Sequence, residues 1–163
     1  MAFGEPLSVT TPADNQIVIT RHFDAPRHLV FACYTQAPLI RRWLNGAVGW
    51  VMTECEFDAR VGGKYRYAWQ APSGYVMAMS GVVREIEPVS TIVSAEVFED
   101  DWTGGETVSR LDFIEQDEQT RLVNTITYSS KQARDGALAT PMADGMEFGF
   151  KKLDEILGEL ERN

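Results

Sequence analysis

The side chains that could do chemistry are few, and the sequence does not arrange them as a known catalytic set. It contains no Gly-x-Ser-x-Gly nucleophile elbow, and its two histidines leave no spare imidazole for a serine or cysteine nucleophile. Three acid/base candidates remain, Glu54, Glu56 and His22, because an inward-facing carboxyl with a raised pKa, or an imidazole, can transfer protons. The sequence therefore assigns no catalytic residue and favours a protein without catalysis.

Metal and cofactor binding also lack suitable ligands in this sequence. The two cysteines, Cys33 and Cys55, and the two histidines do not have the spacing of a zinc site. The pair Gly62-Gly63 is neither a phosphate-binding loop nor a dinucleotide fingerprint, and it predicts a hairpin turn instead. We therefore expect no metal and no cofactor. Two free thiols indicate a reducing compartment, which predicts a cytoplasmic protein.

The last helical segment, predicted over residues 141–160, carries a stripe of residues suited to lining a cavity. Its second half is filled by branched apolar residues, whereas its first half carries glycine and methionine. A glycine inside a helix costs about 1 kcal/mol relative to alanine, and methionine adapts to irregular apolar shapes. The two glycines indicate either close packing of the helix on the sheet or a ligand-sized void. The cavity residues predicted on this helix are Met142, Gly145, Met146, Gly149 and Phe150.

The strands supply an opposing wall of aromatic residues, methionines and a few polar groups. A mostly apolar hollow with some convergent polar groups is typical of small-molecule sites. The alternative is an ordinary core whose polar atoms are satisfied. The wall residues are Tyr65, Tyr67, Trp69, Met77, Met79, Ser109, Phe113 and Asn124, with Trp43 at the predicted mouth.

These residues are positioned by segments of two different periodicities. Two short helices are predicted after the first strand, one beginning with Asp24 as its N-cap and Pro26 in its first turn, and one over residues 37–44. Short turns between the strands imply an antiparallel meander, and the long final helix must cover one face of it. The fold class is α+β, a curved seven-stranded antiparallel sheet around a long C-terminal helix. The predicted strands are 16–23, 51–57, 64–70, 75–87, 91–98, 107–115 and 120–129.

The net charge of −9 opposes binding to phosphate backbones and so argues against a nucleic-acid partner. The acidic excess is concentrated in residues 96–118. This region is either a docking surface for a basic protein partner or a set of solvated hairpin rims. Its nine acidic residues are Glu96, Glu99, Asp100, Asp101, Glu106, Asp112, Glu115, Asp117 and Glu118.

The chain is organised as one domain. Residues 1–15 read as a flexible arm without the apolar core of a signal peptide, and residues 16–163 form the domain. No apolar run approaches the roughly 20 residues of a membrane-spanning helix, so we expect no membrane insertion. The oligomeric state is open between a monomer and a homodimer.

Four stretches occur in an order that resembles a known family. They are "ITRHFDAPRHLVFACYTQAPLIRRWLNG", "FDARVGGKYRYAW", "GVVREIEPVSTIV" and "DGMEFGFKKLDEIL". Together they resemble proteins similar to the C-terminal domain of the activator of Hsp90 ATPase, within the START-like, or Bet v 1-like, helix-grip superfamily. The resemblance covers about residues 16–160.

This resemblance implies a helix-grip fold with an apolar cavity between sheet and helix. In the wider superfamily that cavity holds lipids, sterols, polyketides or aromatic ligands, and some members are cyclases or hydrolases. We therefore expect a binding protein for a small hydrophobic or aromatic molecule of unknown identity. A cyclase or hydrolase using the same cavity, and a co-chaperone-like interaction module with an acidic surface, remain as alternatives.

Overall fold

The structure is a computed structural model that describes residues 5–46, 48–100 and 105–162. The described part of the chain contains eight strands and four helices. The strands are β1 (Ser8–Thr10), β2 (Gln16–Phe23), β3 (Val51–Phe57), β4 (Lys64–Gln70), β5 (Val76–Glu87), β6 (Thr91–Phe98), β7 (Thr107–Gln116) and β8 (Gln119–Thr127). The helices are α1 (Arg27–Thr35), α2 (Ala37–Trp43), α3 (Lys131–Leu138) and α4 (Met142–Arg162).

The strands form one antiparallel sheet in the order β1-β2-β8-β7-β6-β5-β4-β3. The α+β class and the antiparallel meander are confirmed. The sheet has eight strands rather than the predicted seven, because Ser8–Thr10 pairs with β2 at the sheet edge. This strand has three exposed residues and no apolar alternation, so the period-two pattern that reveals the other strands is missing.

Helices α1 and α2 carry the chain from β2 to β3, which lies at the opposite edge of the sheet. The predicted N-cap is wrong: Pro26 is the N-cap of α1, and no side chain caps the helix. In α2, Pro38 occupies the first turn, where a missing N–H costs nothing. The additional helix α3 is capped by the Ser130 hydroxyl, which accepts a hydrogen bond from the backbone N–H of Ala133 at 3.0 Å.

The core lies between the sheet and the C-terminal half of α4. Phe150 meets Phe23 of β2 edge-to-face, with 5.6 Å between ring centroids. Leu153, Ile156 and Leu157 are buried along the same helix face. This half of the stripe therefore fills the space between helix and sheet, as its bulky side chains predict.

Not all acidic residues of α4 face solvent, because two of them bind a buried arginine. Arg21 lies in the inward row of β2 and its side chain is 2 % exposed. Its guanidinium donates to both carboxylate oxygens of Glu147, at 3.1 and 3.0 Å, and to both of Asp154, at 3.0 and 2.9 Å. Glu147 also accepts the backbone N–H of Leu7 at 2.9 Å, which ties the predicted arm to α4.

Candidate functional site

A cavity of about 650 Å³ lies between the sheet and the N-terminal half of α4, where the stripe changes to glycine and methionine. Helix α2 contributes to one side of it, and strands β4 to β8 supply the wall. Its lining is mostly aromatic and aliphatic. The described residues that line it include Tyr34, Trp43, Trp50, Tyr65, Tyr67, Trp69, Met77, Met79, Glu96, Phe98, Ser109, Asn124, Tyr128, Met142, Gly145, Met146, Gly149 and Phe150.

All of the cavity residues predicted from the sequence border this cavity except Phe113. Phe113 is on β7 and 1 % exposed, so it is part of the solid core. Its ring packs edge-to-face against Phe31 of α1 at 5.3 Å and against Tyr34 at 5.5 Å. Helix α1 covers this end of β7, which the strand pattern alone could not indicate.

The two glycines of the α4 stripe have different surroundings. A Cβ atom built on Gly145 meets nothing within 4 Å, so this position faces open space. A Cβ on Gly149 would lie 3.1 Å from the backbone oxygen of Trp43 and 3.5 Å from its ring. The sequence pattern allowed either a void or close packing, and each explanation holds for one glycine. Gly145 faces a void, and Gly149 allows α2 to approach α4 closely.

A row of four facing residues crosses the polar end of the cavity. The strand registers place Tyr65 of β4 opposite Gly81, Gly81 opposite Glu96, and Glu96 opposite Thr107. A Cβ on Gly81 would lie 2.1 Å from Cζ of Tyr65, so the tyrosine ring occupies the space above the glycine. Through this gap the Tyr65 hydroxyl donates to Oε2 of Glu96 at 2.5 Å.

Burial governs the protonation of these two groups. It raises the pKa of the Glu96 carboxyl, and the hydrogen bond from Tyr65 lowers that pKa only in part. Burial, followed by the charge of Glu96, also raises the pKa of the Tyr65 phenol well above its ordinary range. Tyr65 is therefore held as a neutral donor, and Glu96 is a carboxyl group in surroundings that disfavour its charge.

Several other polar groups of the lining make hydrogen bonds within the protein. The Ser109 hydroxyl donates to Oδ1 of Asn124 at 3.0 Å. The indole N–H of Trp69 donates to the backbone oxygen of Leu44 at 2.7 Å, and that of Trp43 to the backbone oxygen of Cys33 at 2.8 Å. These bonds fix the two indole rings as rigid parts of the wall.

The sequence and the fold of the chain both match known proteins. The family model described as activator of Hsp90 ATPase homolog 1-like protein matches residues 24–158. A crystal structure of a Rhodobacter sphaeroides protein is 30% identical and covers 95% of this chain and 99% of its own, with a TM-score of 0.89. The chain belongs to the activator of Hsp90 ATPase homolog 1-like family.

More distant structures share the fold of the family. A crystal structure of a Mycobacterium smegmatis protein is 22% identical and covers 93% of this chain and 97% of its own, with a TM-score of 0.81. A solution structure of an AHSA1-like protein from Aeromonas hydrophila is 17% identical. It covers 87% of this chain and 94% of its own, with a TM-score of 0.69. No curated protein sequence matches the chain.

The structure of this family member does not place the three predicted acid/base candidates in the cavity. Glu54 and Glu56 are exposed on the outer side of β3, where Glu54 pairs with Arg66. His22 lies in the outward-facing row of β2, and burial followed by the charge of Arg121 lowers its pKa. The carboxyl that does face the cavity, Glu96, is signalled by the alternation of β6, since it follows Ile92 and Ser94 on one face.

The acidic region 96–118 is divided by the same alternation. Glu96 points inward and so does not belong to a docking surface. Several of the other acids bind groups of this chain: Glu99 pairs with Arg66, Glu106 with Arg84, and Asp112 with Arg110. Asp101 lies outside the described residues.

Two further properties bear on the expected partners. Among the described residues, no group of three or more histidine, cysteine or acidic side chains is placed to hold a metal ion. None of the described helices combines the length and the apolar character needed to cross a bilayer.

Proposed function

We propose that this member of the family binds a small, mostly apolar molecule in the cavity between the sheet and α4. The cavity itself carries this proposal. Its volume of about 650 Å³ falls within the 300–1,000 Å³ range of ligand pockets, and its lining combines aromatic walls with a few polar groups. Protein interiors contain few voids larger than a water molecule, so packing alone gives no reason for this space.

The arrangement of the wall supports an aromatic or otherwise flat ligand. Tyr67 packs against Tyr65 and Trp69, with ring centroids 5.4 and 6.1 Å apart, so β4 presents a continuous aromatic surface. Met142 and Met146 lie across from it on α4 and can adapt to the ligand's outline. A flat apolar molecule inserted between them would bury both of its faces.

A pair of glycine substitutions tests the proposal. Gly145→Leu places a side chain into the void, whereas Gly136→Leu places one on α3 at a position that also has nothing within 4 Å of its Cβ. Both variants should keep or gain stability, because a helical glycine costs roughly 1 kcal/mol. The neutral fluorescent probe N-phenyl-1-naphthylamine should bind the wild type and Gly136→Leu. We expect Gly145→Leu to bind it at least tenfold more weakly.

Probe titration and native mass spectrometry of the purified protein measure this directly. A co-purifying small molecule that is present in the wild type and missing from Gly145→Leu would also identify the natural ligand. Equal probe binding by the two leucine variants, or no binding by the wild type, would contradict the proposed function.

Glu96 supports a second candidate function, an acid/base enzyme that uses the same cavity. Its carboxyl group lies inside the apolar lining with the Tyr65 hydroxyl as a neighbouring donor, which is a pairing that can transfer protons. An enzyme would convert a bound compound into a different product, whereas a binding protein would release it unchanged. The free thiols Cys33 and Cys55, both buried, support a cytoplasmic location for either function.

A further inference from the structure

The cavity lining has a charge pattern that restricts what can bind. Glu96 is the one carboxyl group among its described residues, and those residues include no lysine, arginine or histidine. Tyr65, Gly81 and Glu96 face one another on adjacent strands, and Gly81 has no side chain. The Tyr65 ring can therefore reach across β5 to the Glu96 carboxyl. This corner of the cavity is therefore acidic and has no cation of its own.

Tyr65 satisfies only part of the Glu96 carboxylate. A carboxylate offers two oxygens and about four acceptor sites, and the phenol occupies one of them. A neutral donor also leaves the negative charge uncompensated, which is costly away from water. The alternation of β4 turns Lys64 and Arg66 to the face opposite Tyr65, where Arg66 binds Glu54 and Glu99. Both basic residues border a second pocket, which Tyr65 and Glu96 border as well.

The aromatic surroundings of Glu96 suit a cation as well as an apolar group. Tyr65, Tyr67, Trp69, Phe98 and Tyr128 line the cavity with it. The faces of aromatic rings attract ammonium groups, and this attraction grows when the cation is removed from water. An anionic ligand would instead meet the carboxylate of Glu96 in a chain that already carries a net charge of −9.

Building on the proposed function, we infer that the ligand is an apolar molecule with one basic nitrogen, and that its protonated amine binds the free acceptor sites of Glu96. The apolar body lies between the β4 aromatic residues and the methionines of α4. The ammonium group supplies the positive charge that the lining lacks. An ionised Glu96 carboxylate repels fatty acids and aromatic carboxylates, so these should bind more weakly than a protonated amine.

Three probes of nearly equal size test this inference on the full chain at pH 7. They are 1-naphthylmethylamine, 1-naphthalenemethanol and 1-naphthoic acid, which are cationic, neutral and anionic. Isothermal titration should show the amine binding at least tenfold more tightly than the alcohol, and the acid binding most weakly. This ranking is measured on the wild type and does not depend on any variant folding.

Two variants that each remove one negative charge test whether Glu96 causes the preference for the amine. Glu96→Gln should reduce the amine's advantage over the alcohol to less than about threefold. Glu85→Gln removes the same charge from an exposed position on the neighbouring strand β5 and should leave the wild-type ranking intact. Loss of the preference in both variants would assign it to net charge and overturn the role of Glu96.

The outcomes separate this inference from the proposed function. If the alcohol binds as tightly as the amine and Gly145→Leu abolishes both, the cavity binds ligands and the inference about the basic nitrogen is wrong. If none of the three probes binds and the neutral fluorescent probe fails as well, the proposed function and the inference are both wrong.

Discussion

Two carboxyl groups are enclosed between α4 and the sheet, and they have different partners. Glu147 faces Arg21, a cation that is 2 % exposed and that binds Asp154 as well. Glu96 faces the neutral phenol of Tyr65. The first site is filled by side chains of the protein, whereas the second opens into a cavity of about 650 Å³. The comparison indicates that the helix–sheet space beside β2 is built for stability, whereas the space beside β6 is left incomplete.

The electrostatics of the two sites follow from this difference. Burial opposes the charge of Arg21, but hydrogen bonds and charges from Asp154 and Glu147 outweigh it and raise the pKa of its guanidinium. Burial would likewise raise the pKa of Glu147, but the bond from Arg21 and the N–H of Leu7 lower it. At Glu96 the described lining supplies no cation and the hydrogen bond from Tyr65 lowers the pKa only in part, so burial leaves this pKa raised.

The largest effect on stability is expected when Arg21 is removed from its site with Glu147 and Asp154. Arg21→Met leaves Glu147 and Asp154 facing an apolar side chain in the core and should lower the free energy of unfolding by about 3–5 kcal/mol. Arg42→Met is the matched control, because its partner Glu159 is also on α4 but the pair is 44 % and 48 % exposed. Exposed pairs contribute at most about 1 kcal/mol.

Urea unfolding monitored by circular dichroism measures both changes. Similar losses for the two arginine variants would show that burial does not distinguish these ion pairs. The stabilising role given to the Arg21 site would then have to be withdrawn.

Much of this architecture could be predicted because period-two alternation and the helical stripe are strong signals. The bounds of β2, β3, β4 and β6 agree with the prediction, and α4 is shifted by one or two residues. The same patterns also contained the less obvious residues. Arg21 shares a face with Ile17 and Ile19, and Glu96 shares one with Ile92, so strict alternation would have placed both charges inward.

What could not be predicted depends on contacts between elements far apart in sequence. The distance from Gly149 to the backbone of Trp43 is set by how α2 docks on α4. The burial of Phe113 follows from α1 covering one end of the sheet. Neither periodicity nor composition contains this information, because each describes only local structure.

A second, smaller effect should distinguish the two glycines of α4. Gly149→Leu forces new atoms against the backbone oxygen of Trp43, which lies 3.1 Å from the Cβ position, and should cost about 1–3 kcal/mol. Gly145→Leu, four residues earlier, enters open space and should cost nothing. Thermal unfolding of the two variants beside the wild type measures the contrast. Equal stability would mean that α2 and α4 do not meet closely at Gly149.

The smallest effect is a difference in the sign of a pH dependence. Because the folded pKa of Glu147 lies below its ordinary value of 4.5, its stabilising contribution is present above that value and is lost as the pH falls through the folded pKa. The folded pKa of Glu96 lies above 4.5, so its contribution is complete below that value and is lost as the pH rises through the folded pKa.

Glutamine variants isolate the pH dependence of stability that each carboxyl contributes, because glutamine does not titrate. Glu147→Gln should cost stability at pH 7 and converge on the wild type as the pH falls below 4.5. Glu96→Gln should become more stable relative to the wild type as the pH rises above 4.5. Urea unfolding between pH 3 and pH 8, with each variant measured against the wild type, gives both curves. Slopes of the same sign would show that Glu96 is compensated like Glu147, and the empty acceptor sites proposed for a ligand's ammonium group would not exist.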